Sequence, residues 1–274
     1  MTRPTSTMAA SASRLVWALR AEMRKLASVR STYLVLVIVL ALGVGVGLLD
    51  LSSLCHNWAT MSPADRAAAD PVSQSFSGLE FAELALGGLG VLAISPEYGS
   101  GMIRTTFSAI PSRGRVFMAK ALVLTALVIP VGELVAFTCY LAGRTMLAGR
   151  VPAPGITDAA TLRAVLCAGL YLTVVTLVGL GLGAALRHAA GAMCALVGLV
   201  FLAWPLARAV EGFSYLPDRL LLVNAADVLT ATHPVIGPHA ARVPSLAMAY
   251  LDLALYLVVF LGLGVWRMRR DPGA

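Results

Sequence analysis

The chain has 274 residues, of which 58% are hydrophobic and only 13% charged, with a formal net charge of +7. A soluble domain averages about 25% charged residues, so this composition and a mean hydropathy of +0.82 point to an integral membrane protein. No polar stretch is long enough for a separate soluble domain. The basic residues stand at the ends of apolar runs, which fits lipid headgroups and argues against nucleic acid as a partner.

Residues 1–12 are rich in Ser, Thr, Ala and Pro and are expected to be disordered. From Ser13, an N-cap candidate, the run to Arg30 reads as an amphipathic helix. Leu15, Val16, Leu19, Met23 and Leu26 share one face, and Arg14, Arg20, Arg24 and Lys25 lie off it. Glu22 borders the apolar side, within reach of Lys25. A basic amphipathic helix beside a span is expected to lie in the membrane interface.

Six apolar runs follow, at about 33–49, 76–94, 116–141, 162–186, 189–207 and 246–268. Each is close to or above the roughly 18–20 residues that cross a bilayer core as helix. The first is read as a retained span: it is too long for the core of a signal peptide, follows a helix and has no small-residue cleavage site. Residues 13–274 therefore form a single transmembrane domain. Fourteen Arg and Lys fall on one side of the alternating loops and seven on the other, which puts both termini in the cytoplasm.

Ser95–Lys120 is the internal polar break that carries a cluster of positive charge. Pro96 ends the helix before it, because proline lacks an N–H and pushes its predecessor out of the helical region. Gly99 and Gly101 loosen the next turn. Ile103, Phe107 and Ile110 then make one apolar stripe on a short helix, Pro111 stops it, and Ser112-Arg113-Gly114 reads as a turn. Of the other loops, 50–75 carries Asp65, Arg66 and Asp70 and no clear fold. Arg187-His188 makes a tight hairpin, and 208–245 holds LPDRLLLVNAADVL, readable as a short amphipathic helix.

Four acidic residues lie at membrane depth: Glu80, Glu83, Glu133 and Asp252. Carboxyls there are costly and tend to face protein or water. Glu80 and Glu83 share a helix face and read either as a cation or proton site or as a solvated rim. Glu133, just after Pro130, reads as a pathway-lining group or as a carboxyl bonded to a neighbouring helix. Cys55, Cys139, Cys167 and Cys194 have no CxxC spacing, so neither zinc nor a disulfide framework is implied. His233 and His239 are separated by Pro234, Gly237 and Pro238, which removes helical metal spacing. No phosphate-loop, HExxH or Ser/His/Asp pattern occurs, so the chain is not expected to be an enzyme. Only Lys25 and Lys120 among 21 basic residues are lysine, which reads as a coding bias. Glycines 43/45/47, 87/88/90 and 179/181/183 would let membrane helices approach closely.

The run Glu97-Tyr98-Gly99-Ser100-Gly101-Met102-Ile103-Arg104-Thr105-Thr106, with Pro111 and Arg113-Gly114-Arg115 after it, resembles the first cytoplasmic loop of ABC-2 type transporter permeases. These are the membrane subunits of ATP-binding-cassette exporters. The resemblance covers nearly the whole chain, from the interfacial helix to the basic stretch of Arg267, Arg269 and Arg270. It implies an all-α plasma-membrane protein with six transmembrane helices, an N-terminal interfacial amphipathic helix and a cytoplasmic coupling helix between spans two and three. By the same resemblance, Glu97, Tyr98, Gly101, Met102, Ile103, Arg104 and Phe107 would dock on a separate ATPase subunit that holds ATP and Mg. A second permease copy or a paralogue would complete the pathway. In the family, the segment matching Arg20, Glu22, Arg24 and Lys25 also packs beside the ATPase. Glu80 departs from the family, where amides or small residues are usual. Two other readings remain: an ion-coupled secondary transporter using the intramembrane carboxylates, and a non-transporting immunity or sensory subunit.

Overall fold

The computed structural model describes residues 30–102, 113–209, 220–233 and 244–270, and their regular structure is helical throughout. The helices are α1 Arg30–Asn57, α2 Pro63–Ala68, α3 Pro71–Gln74, α4 Leu79–Leu92, α5 Ser95–Gly99, α6 Arg113–Leu147, α7 Ala159–Leu186, α8 Ala189–Val197, α9 Ala203–Ala209, α10 Leu222–Thr230 and α11 Leu246–Arg269. A π-helical turn at Gly198–Leu202 joins α8 to α9. Among the described residues six segments are long and apolar enough to cross a membrane, and they fall on the six expected runs: Tyr33–Asn57, Leu79–Gly99, Gly114–Leu147, Ala159–Leu186, Ala189–Ala207 and Leu246–Arg269.

The bundle is built around α7. The most apolar part of α7 is 89% buried, against 11% for the α8–α9 span and 17% for α11. It packs on α4, α6, α8, α10 and α11. A hydrophobic driving force between helices is weak in lipid, so close backbone approach has to supply the packing. Glycine provides it here. A Cβ on Gly179 would strike the carbonyl of Gly87, and one on Gly90 would strike the carbonyl of Thr176. Thr173 and Thr176, buried in the same helix, return their hydroxyls to the carbonyls of Gly169 and Leu172 at 3.1 and 2.8 Å, so no donor is stranded.

The second crossing is interrupted. At about 1.5 Å per residue, the fourteen residues of α4 extend only about 21 Å, short of a bilayer core. Ala93 and Ile94 form a turn, and α5 adds one more turn with Pro96 in its first positions. Pro130 sits inside α6 without ending it, because α6 runs unbroken over 35 residues. The α7–α8 hairpin is as tight as the sequence suggests. Arg187 caps α7 in the left-handed region at φ 58°, and His188 caps α8 by accepting the Gly191 N–H on Nδ1 at 3.2 Å.

Loop 50–75 is more ordered than expected. The end of α1 runs to Asn57, Ser62 caps α2 and Asp70 caps α3, each side chain accepting from the residue three positions on. The signal is short-range: Ser-Pro and Asp-Pro pairs place a capping acceptor directly before a helix-starting proline. The helix read within 216–229 is observed as α10, with Leu222, Ala225, Leu229 and Thr230 turned inward. The stretch 1–12, expected to be disordered, and the expected interfacial helix with Arg20, Glu22, Arg24 and Lys25 lie outside the described residues, as do Ile103, Arg104 and Phe107.

Candidate functional site

At one end of the bundle the start of the polar connector is fastened to three helices. Glu97 on α5 and Lys120 on α6 are 1% and 2% exposed, and the Lys120 ammonium donates to Glu97 Oε1 at 2.7 Å. The same ammonium reaches the Ala93 carbonyl at 3.4 Å, in the turn that separates α4 from α5. Removing two charges from water is costly, and close pairing with extra hydrogen bonds is what offsets that cost. Beside this pair the Arg187 guanidinium lies over the Tyr98 ring, 5.5 Å from its centroid, and donates to the Arg267 carbonyl at 3.0 Å. The turn Ala93–Ile94 and the ends of α5, α6, α7 and α11 are therefore linked by side chains, not by apolar packing alone.

Glu97 thus faces inward, onto Lys120, and is not displayed on a surface. Tyr98 is half-buried under Arg187, whereas Met102 is 41% exposed. Gly101 between them has φ 71°, a left-handed conformation that a residue with a side chain adopts only with strain. It turns the chain between Ser100 and Met102.

At the opposite end a cleft of ≈ 200 Å³ opens between α1, α3, α4, α7 and α10. Asp50, Glu80 and Asp227 line it with Tyr171, Gln74, Ser77 and Thr230, and among the described residues no basic group lines it. Glu80 and Glu83 share a face of α4 as expected, but they separate in depth. Glu80 is exposed to the cleft, whereas Glu83 is 1% exposed and accepts a hydrogen bond from the Tyr171 hydroxyl. Asp227 is reached by solvent along the cleft, yet the concave wall removes much of its hydration. Loss of hydration first, and the Glu80 charge second, push its pKa up to about 6. Among the described residues no group of three His, Cys, Asp or Glu side chains is placed to hold a metal ion.

Glu133 stands apart from both ends. It is half-buried on α6, its carboxyl stacks against Gly169 of α7, and its Oε2 has no hydrogen-bond partner. Asp252 is buried on α11. The cysteines are all free thiols, with Cys167 Sγ 3.0 Å from the Tyr250 hydroxyl.

Three participants escaped the sequence reading. Lys120 was visible as one of two lysines, but its rarity read as codon usage. A lysine one turn inside an apolar run, with a glutamate just beyond the preceding run, is the signal that pairs it with Glu97. Tyr171 was visible as a hydroxyl-bearing ring in a mostly apolar span, and Asp227 as one of two acidic residues of a short amphipathic helix. Neither spacing nor periodicity says that α10 folds back to bring Asp227 to Glu80. Comparison with models of known protein families and with curated proteins finds no match to this chain.

Proposed function

We propose that this chain is the permease subunit of an ABC-2 type exporter, driven by a separate ATPase subunit that engages the connector after the second span. The observation that carries the reading is the anchoring of that connector. A solvent-facing loop on a lipid surface has no use for a buried ion pair at its root, whereas a lever needs a fixed base. With Glu97 locked to Lys120 and Tyr98 covered by Arg187, a push on residues 101–111 is delivered to α4, α6 and α7 together. Glu97 and Tyr98 then act as positioning residues, and Met102, Ile103, Arg104 and Phe107 are left to meet the ATPase. On this reading the connector and both termini are cytoplasmic, in the plasma membrane, and the acidic cleft faces outward. Two permease chains, or this chain with a paralogue, enclose the pathway.

The test is purification of the tagged chain from its native membrane. A vanadate-sensitive ATPase should copurify with it, and the Arg104→Ala/Phe107→Ala double variant should lose that activity while still inserting. A wild-type preparation with no associated ATPase would discard the reading.

The acidic cleft favours one alternative, an ion-coupled transporter that uses Asp50, Glu80, Asp227 and the deeper Glu83. Transport that survives vanadate and collapses with a protonophore would select it.

A further inference from the structure

One wall of the cleft is a short helix, α10. α10 is nine residues long and sits between two segments of chain, 220–221 and 231–233, with few turns of its own to hold it. Its apolar face, Leu222, Ala225 and Leu229, rests on α7 and α11. Discrete polar ties fix its ends. Arg163 on α7 donates to the carbonyls of Val228, Leu229 and Ala231 at 3.4, 2.9 and 2.5 Å, filling acceptors that a helix C-terminus leaves open. Thr232 donates its N–H and hydroxyl to Asp70 at 2.6 and 2.9 Å, and the Tyr256 hydroxyl donates to the Leu220 carbonyl at 3.0 Å. Between these ties the helix turns Asp227 into the cleft that Glu80 and Asp50 also line.

The titratable groups around Asp227 can be followed element by element. α4 brings Glu80 and Glu83, α1 brings Asp50, and α7 brings Tyr171 and Arg163. α11 brings Asp252 and Tyr256, and the α3 cap brings Asp70, with His233 Nε2 3.9 Å from it. Arg163 is the cation of this set, and its guanidinium is turned to backbone carbonyls at the end of α10. Among the described residues, Asp227 therefore meets carboxyl groups across the cleft, while Arg163 acts at the C-terminal end of the helix.

We propose that α10 is a proton-controlled lid on the acidic cleft, settled on the bundle when Asp227 carries a proton and loosened when Asp227 and Glu80 are both charged. The carbonyls gripped by Arg163 and the Thr232–Asp70 link form the hinge. The sign follows from proton linkage. The docked helix holds Asp227 at about 6 against an ordinary value of 3.8, so docking binds a proton more readily than undocking. Docking is firmest in acid, weakens as pH rises from about 4 through about 6, and stays weakened above that. The inference does not depend on what powers transport.

Hydrogen–deuterium exchange of the full chain in lipid nanodiscs tests it, at pH 5 and pH 7.5 with times rescaled for the intrinsic exchange rate. Protection of the peptide covering Leu222–Thr230 should be on the order of tenfold higher at pH 5. Asp227→Asn should give high protection at both values, and Glu80→Gln should raise it at pH 7.5. Arg163→Gln should lower protection at both while preserving the ratio. His233→Asn, which removes the imidazole beside the Asp70 carboxylate of the hinge, should also preserve it. Equal wild-type protection at the two pH values would overturn the proposal, as would a pH effect that survives Asp227→Asn or vanishes in His233→Asn.

Discussion

Lys120 and Glu97 show how much a single side chain can decide in a chain this poor in charge. Both are withdrawn from water and pair at 2.7 Å, so removing one takes from the other its close counter-charge. Lys120→Ala is expected to lower stability by about 3 kcal/mol, while Glu97→Gln combined with Lys120→Met recovers most of the loss. Thermal unfolding of the three proteins in one detergent measures the difference. Tyr171 is the corresponding residue at the far end. Without its hydroxyl the carboxyl of Glu83 is buried with one partner fewer, and Tyr171→Phe should cost about 2 kcal/mol in the same assay. Of these residues, Glu97 and Glu83 stood out in the sequence because acidic residues near or within apolar runs demand an explanation. Their partners did not, since a pairing across 23 or 88 positions depends on how the helices are arranged. The same limit explains why Glu97 read as a surface contact and is found facing inward.

Among the helices, the pair α4 and α7 depends most on shape. Their backbones meet at Gly87 opposite Gly179 and at Gly90 opposite Thr176, where not even a methyl group fits. Gly179→Ala and Gly90→Ala should each force the two helices apart at a cost of about 2 kcal/mol, read as a lower melting temperature and a shift in elution volume. Gly262, which a Cβ would leave in open space, is the control, and Gly262→Ala should be neutral or slightly stabilising. The crossing helices themselves were legible because each needs a long apolar run and little else. The glycine runs announced close approach without naming the neighbour. The interruption at Ala93–Ile94 was half legible, since Pro96 marks a helix end but not the return to helix for one more turn. The order in loop 50–75 was missed because its helices are four to six residues long, too short for periodicity, and only their capping residues gave them away.

For the molecule as a whole, the basic groups of α5–α6, the α7–α8 hairpin and the end of α11 gather at one end, and the carboxylates of the cleft gather at the other. If the charge bias sets orientation as it does in other multi-span proteins, alkaline phosphatase fused after Ala68 should be active and the same enzyme fused after Arg270 inactive. The reverse pattern would turn the connector away from any cytoplasmic motor. One consequence concerns how the bundle is assembled during synthesis. The helix at the centre of the bundle is the fourth crossing to be made, and three of its walls, α8, α10 and α11, are translated after it. Until they arrive, the side of α7 that they will cover must be shielded by lipid or by the insertion machinery. The two-residue hairpin gives α8 no room to wander, so it can close one flank as soon as it is released. The last crossing completes the enclosure, and a chain cut short before residue 246 would leave the middle of the protein open on one side.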